Sequence, residues 1–213
     1  NHFKKKKVNK NKLAKDSIYF EQKILKEVVG SQDQIAATYG GFNKIIFKKN
    51  GIFSVKPISV KKNTIKKLNK NLLLVYTGYK RTAHYIAKSY VNKLQTSKKK
   101  YILKISKYVK NAEKALKKGQ LDKFGKLLND AWIEKKKLSI SITNPAIDKI
   151  YNKAIKNGAL GGKLLGAGGG GFFIFYVPQQ KQKRFINNFK NFITIPFNFA
   201  PEGSKILFNN IKK

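Results

Sequence analysis

The chain has 213 residues, 41% of them hydrophobic, and a formal charge of +37 from 47 basic and 10 acidic side chains. That length and apolar share allow one large domain or a domain and a half, while the lack of Cys excludes disulfides and thiolate chemistry, and His2 and His84 alone exclude a histidine-rich metal site. No apolar run reaches the ~18 residues that span a bilayer, and the basic, polar start does not fit a signal peptide, so a cytoplasmic protein with no membrane partner is expected.

In chain order, Lys12–Glu27 places Leu13, Ile18, Ile24 and Leu25 among charged residues, which predicts an amphipathic helix ended by Gly30. Ser31-Gln32-Asp33-Gln34 then has capping-box spacing, with Ser31 as cap and Gln34 returning to the cap amide. The helix it opens stops at Gly40-Gly41, where left-handed backbone is tolerated. Two apolar strands, Asn43–Lys48 and Ile52–Val55, flank Asn50-Gly51, a strong hairpin signal. Asn63–Lys70 reads as a polar connection, and the composition shift near residue 60 divides the chain into 1–60 and 61–213.

Leu72–Tyr76 is uninterruptedly apolar and predicts a buried strand, turned by Thr77-Gly78 into a helix over Arg81–Lys93. Three further helices are expected near 104–118, 121–138 and 145–157, punctuated by Gly119 and Pro145, with Trp132 at helical spacing from Leu128 as a core residue. A helix over Gln179–Lys190, an extended Ile193–Phe199 and a short strand at Lys205–Phe208 complete the chain. Helices segregated between strands predict an α+β fold with a mostly antiparallel sheet covered on one side.

The most distinctive stretch is KLLGAGGGGFFIFY, Lys163–Tyr176. Its GAGGGG core, Gly166 to Gly171, is too rich in glycine for helix or packed strand and implies positive φ or a close backbone approach. Gly166, Gly168 and Gly171 match GxGxxG, but that fingerprint needs a following helix and here an apolar strand follows. A Walker A loop fails because Leu164 follows Lys163, and the protein-kinase glycine loop fails because HRD and DFG are absent. Spacing alone leaves a ligand-free glycine hairpin and a phosphate-proximal loop both open.

All basic residues except Arg81 and Arg184 are Lys, whereas base reading and bidentate phosphate contacts favour Arg. The lysines recur throughout, in Lys4–Lys7, Lys98–Lys100, Lys135–Lys137 and singly, as a coding bias toward Lys, Asn and Ile would place them. Nonspecific polyanion binding follows as a side effect, without specific nucleic-acid recognition. Met is also absent, position 1 being Asn1, so a processed, trimmed or fragmentary chain is expected.

GSQDQIAATYGGFN (Gly30–Asn43), YTGYKRTAHYIA (Tyr76–Ala87) and KLLGAGGGGFFIFYVP (Lys163–Pro178) resemble, in order, motifs of the GHMP small-molecule kinases. The closest likeness is to the branch of the D-glycero-D-manno-heptose 7-phosphate kinases, which the closing FNFAPEGSKI (Phe197–Ile206) also resembles. The resemblance implies phosphoryl transfer from ATP with magnesium to a sugar hydroxyl, in that branch the anomeric hydroxyl of a heptose 7-phosphate. It makes 1–60 the C-terminal part of the family's N-terminal domain and 61–213 its ferredoxin-like C-terminal domain.

By the same resemblance Asp33, in a GxxDQ motif, matches the family's catalytic base, and Arg81 matches a basic position suited to a sugar phosphate. The loop of Gly166, Ala167, Gly168, Gly169, Gly170 and Gly171 matches a motif packed near the phosphates. Gln32, Gln34, Gly168, Gly169 and Gly170 are its candidate substrate contacts, Gln32 and Gln34 being equally suited to completing the cap. No metal ligand is identified. The ATP-phosphate loop of type PxxxGLGSS is not among these residues, so a C-terminal kinase portion with feeble or no ATP turnover is expected. The alternatives are a kinase for another sugar, such as fucose or galactose, and a non-catalytic lysine-rich polyanion-binding or scaffold fragment.

Overall fold

The computed structural model describes residues 9–80 and 83–205. It divides into two compact units, one formed by Asn1–Ile58 with Phe199–Lys213 and the other by Ser59–Asn198. The segment from Phe199 therefore groups with the first unit, although the boundary read from composition left it with the second.

In the first unit α1 (Lys10–Tyr19) starts at Asn9, whose side-chain oxygen accepts from the Lys12 amide at 2.8 Å. It runs on into a π-turn at Phe20–Ile24. Its buried face sets Ala14 against Ile35 of α2 (Gln32–Tyr39) and Phe53 of a hairpin. That hairpin pairs β1 (Asn43–Phe47) with β2 (Phe53–Pro57), Ile45 opposite Val55, around Asn50 and Gly51 at φ of 62° and 72°. The closing segment packs on α2 through its backbone. Gly41 donates to the Ala200 carbonyl at 2.8 Å and Ser204 to that of Ala37 at 2.9 Å.

The capping box does not form. Ser31 stands at the start of α2 but its hydroxyl caps no helix amide and instead accepts from Gln22 Nε2 at 3.2 Å. Gln34 lies on the buried face of α2, where its side-chain amide donates to the Glu21 carboxylate and so cannot turn back to the cap.

The second unit begins with α3 (Lys62–Asn71), where a polar connection was expected; the fully buried Leu68 anchors it despite its polar surroundings. It leads into β3 (Leu72–Tyr76), α4 (Ala83–Lys88), α5 (Lys99–Lys117), α6 (Leu121–Lys136) and α7 (Pro145–Lys156). Asn144 caps α7 by accepting from Ile147 N at 2.9 Å, with Pro145 in the first position. Then come β4 (Gly161–Leu164), β5 (Phe172–Tyr176), α8 (Gln179–Asn188) and β6 (Thr194–Pro196). The strand expected at Lys205–Phe208 falls, beyond Lys205, outside the described residues.

The four strands form an antiparallel sheet in the order β4-β5-β3-β6, with Leu74 opposite Ile174, Lys163 opposite Ile174 and Val75 opposite Thr194. Strand, helices, hairpin, helix, strand in this order is the ferredoxin-like split βαβ arrangement. Phe173 and Phe175 alternate inward with Phe172 and Ile174 less buried, the period of a strand with one face on the core. Trp132, Ile147, Tyr151 and Phe185 close over them, and Trp132, fully buried, is a core residue as expected.

Candidate functional site

The candidate residues fall on both units. In the first unit Asp33 is exposed in the opening turn of α2, on the wall of a cleft of about 420 Å³. The cleft is also lined by Ser17, Glu21, Gly30, Gln34 and Ser204. Glu21 reaches it from the π-turn, a local insertion of the kind that re-aims side chains at functional sites. Gln34 is buried, its Nε2 bound to the Glu21 carboxylate and its Oε1 without a partner. Gln32 is exposed in the same turn and is not among the residues lining the cleft.

Two carboxylates with hydroxyl and amide oxygens in one cleft make a hard oxygen donor set, which suits magnesium and its one or two carboxylate ligands. Among the described residues no group of three or more His, Asp or Glu side chains gathers around a common point. Glu21 escaped the sequence reading because it lies on a stretch that passes for an ordinary charged helix face. Its one signal was scarcity, since it is one of 10 acidic residues.

In the second unit the glycine loop links β4 to β5. Leu165 donates to Phe172 at 2.9 Å to close it, Gly169 to Ile142 at 2.8 Å, and Gly171 to Tyr79 at 2.9 Å. Thr77 secures the far end, its amide and its hydroxyl both donating to the Gly171 carbonyl at 2.9 and 2.8 Å. Gly166, Gly168, Gly169 and Gly171 all have positive φ. Gly168 and Gly170 lie against the backbones of Ile142 and Tyr79 with no room for a Cβ. The amides of Gly166, Ala167, Gly168 and Gly170 donate to no acceptor among the described residues. A loop whose backbone is this exposed in its hydrogen bonding can offer donors to an anion.

The run Lys135–Lys137, one of the recurring lysine runs, divides its work at the end of α6. Lys135 Nζ donates to the carbonyls of Leu164 and Gly166 in the glycine loop, at 3.2 and 2.6 Å. Lys136 pairs with Asp148 at 3.0 Å and Lys137 with the buried Glu134 at 2.8 Å. Nothing in the sequence distinguishes Lys135 from its neighbours. Arg81, expected at a sugar phosphate, lies outside the described residues. No helix among the described residues is long and apolar enough to cross a membrane.

A family model described as GHMP kinases C terminal matches residues 112–194, which include the glycine loop and Lys135. The chain is 32% identical over 196 residues to D-glycero-alpha-D-manno-heptose 7-phosphate kinase of Campylobacter jejuni, a match spanning 91% of this chain and 58% of that protein. It is 30% identical over 159 residues to the bifunctional fucokinase/GDP-fucose pyrophosphorylase of Arabidopsis thaliana, covering 70% of this chain and 15% of that protein. In fold it resembles the crystal structure of a D-glycero-D-manno-heptose 1-phosphate kinase from Bacteroides thetaiotaomicron, with a TM-score of 0.71 over 97% of this chain and 59% of that one at 24% identity. The chain thus spans somewhat under three fifths of the heptose kinase sequence it matches. From the split βαβ sheet, the glycine loop between its strands and the family match over residues 112–194, the chain contains a GHMP kinase C-terminal domain.

Proposed function

We propose that this chain carries part of an ATP-dependent sugar kinase, acting in the cytoplasm on the anomeric hydroxyl of D-glycero-D-manno-heptose 7-phosphate. The observation that carries the proposal is Asp33, an exposed carboxylate opening α2 on a cleft it shares with Glu21. Phosphoryl transfer has a loose transition state, so the protein contributes positioning and charge neutralisation more than covalent chemistry. Asp33 takes the proton of the attacking sugar hydroxyl as that oxygen bonds to the γ-phosphorus of ATP and the bond from this phosphorus to the β,γ-bridging oxygen breaks, releasing ADP. Glu21 and Ser17, which both line that cleft, would hold magnesium, which when bound would neutralise charge on the phosphates. The amides of the glycine loop supply donors for a phosphate group, and Arg81 is the candidate for the sugar's own phosphate.

Heptose is favoured over fucose because the likeness to the heptose kinase extends over 91% of the chain, against 70% for the fucokinase. The test is a chimera in which the N-terminal portion of the Campylobacter jejuni relative precedes this chain, assayed with ATP, magnesium and each sugar. Faster transfer to heptose 7-phosphate than to fucose or galactose is expected, with the 213-residue chain alone feeble or inactive. Preference for fucose would replace the substrate, and a folded chimera active on none of them would remove the kinase reading.

A further inference from the structure

Within the second unit Lys135 brings a cation onto the backbone of the glycine loop. Its stem rises from the last turn of α6, one turn after Trp132, and its Nζ passes 5.9 Å from the centre of that buried indole ring. A cation over an aromatic face on the same helix side is held in place. The ammonium then bridges two carbonyls, Leu164 O at the end of β4 and Gly166 O inside the loop.

Those two contacts fix two peptide planes. No peptide bond among the described residues is cis, and in a trans peptide the carbonyl of one residue and the amide of the next point in opposite directions. Behind Leu164 the opposite amide is Leu165 N, which the Phe172 carbonyl already uses. Behind Gly166 it is Ala167 N, which has no acceptor among the described residues. Holding the Gly166 carbonyl therefore sets the direction of a free donor. In a loop where Gly166, Gly168 and Gly169 all have positive φ, little else in the chain's own stereochemistry would set it.

Resting on the kinase reading, we infer that Lys135 is a positioning residue for the glycine loop, holding the Gly166 carbonyl so that the Ala167 amide is presented on the opposite face to a phosphate oxygen. Lysine suits the task because its charge strengthens the carbonyl contacts and adds a positive field behind the donor. The phosphate belongs either to the nucleotide or to the sugar, and the two sources are separable by titration.

The experiment compares the wild-type chain with Lys135→Met, which keeps stem length but removes charge and donors, and with Lys135→Arg. Amide hydrogen exchange is followed across 161–176. The Ala167 amide resonance is followed during separate titrations with ADP plus magnesium and with heptose 7-phosphate. In Lys135→Met, exchange confined to 165–171 is expected to quicken about tenfold, the scale of losing one to two hydrogen bonds. The Ala167 response to its ligand weakens in parallel, and Lys135→Arg recovers most of both. The titration that moves Ala167 in the wild type names the phosphate's source.

Unchanged exchange in the loop overturns the proposal, as does quickening that spreads through α6 and β4, which would make Lys135 a packing residue. A wild-type Ala167 resonance that moves with neither ligand removes the presented donor. These outcomes stand apart from the kinase assay. Loop changes as expected in a chimera that transfers no phosphate would sink the kinase reading alone, and an active chimera with an indifferent Lys135→Met would sink this one alone.

Discussion

Gly170 lies so close to Tyr79 that a Cβ built on it would stand 2.5 Å from the Tyr79 carbonyl oxygen, the atom that accepts the Gly171 amide at 2.9 Å. Space alone forbids a side chain there. Gly166 is the opposite case, with nothing within 4 Å of an added Cβ but a φ of 67°. Gly170→Ala is expected to cost about 1–3 kcal/mol by overpacking and to free the Gly171 amide. Gly166→Ala should cost about 1–2 kcal/mol through backbone strain with that amide still protected. Chemical denaturation combined with exchange at Gly171 separates the two. Equal protection of Gly171 in both variants would show that the Tyr79 contact does not constrain the loop.

Glu134 gives the second unit a pH dependence of known sign. The carboxylate is buried, and the hydrogen bond from Lys137 at 2.8 Å, aided by the Lys104 charge at 3.7 Å, holds it below the usual carboxylate range against the opposing effect of burial. A depressed folded value means that the contribution is present above the unfolded value of about 4.3 and is lost as pH falls through the folded one. Glu134→Gln should lower stability by about 1 kcal/mol at neutral pH. The gap to wild type should be constant above about pH 5 and shrink in more acid solution. Urea titrations of both proteins from pH 7 to pH 3 check this, and a gap that widens toward acid would reverse the assignment.

The elements that could be read from the sequence carry their signal locally. Asn50-Gly51 set the hairpin, Asn144-Pro145 the start of α7, and the Phe172–Tyr176 run a strand. Helix α3 was missed because its burial rests on few apolar residues, Leu68 chief among them, within a lysine-rich segment. Ser31 to Gln34 had the right spacing for a capping box, but Gln34 was claimed by Glu21, a residue 13 positions earlier that no local pattern could nominate. The return of Ala200 and Ser204 to α2 is made by backbone groups, which leave no trace in side-chain periodicity. The places of Asp33 at the opening of α2 and of the glycine loop before β5 were legible through motifs, whereas the contacts of Glu21 and Lys135 were hidden, the first by an unremarkable helix face and the second by the abundance of its own residue type.

Nucleic acid should bind this chain only through charge. With 47 basic residues of which all but two are Lys, the surface offers counterion release without base readout. Affinity for duplexes of unrelated sequence should be equal, and should fall by roughly 10³-fold or more between 50 and 200 mM salt if six or more phosphates are engaged. Fluorescence anisotropy at several salt concentrations reads both quantities. Selectivity for one duplex that survives high salt would revive a nucleic-acid function.

The proposed chemistry divides between Asp33 and Glu21, which share a cleft but are held differently. Asp33 is exposed, whereas Glu21 is half-buried and bound by Gln34. Asp33→Asn keeps size and removes the proton acceptor, so in the active chimera kcat should fall by roughly 10²-fold or more with sugar affinity little changed. Glu21→Gln removes a hard anionic oxygen, so activity should demand more magnesium, and Mn²⁺ bound in the absence of substrate, read by electron paramagnetic resonance, should weaken in parallel. Arg81→Lys trades a planar fork for a point charge and should instead raise KM for the phosphorylated sugar alone. Wild-type kcat in Asp33→Asn would return Asp33 to a helix-start residue stabilised by the dipole of α2. Wild-type Mn²⁺ affinity in Glu21→Gln would leave the π-turn without a functional reason to place that carboxylate on the cleft.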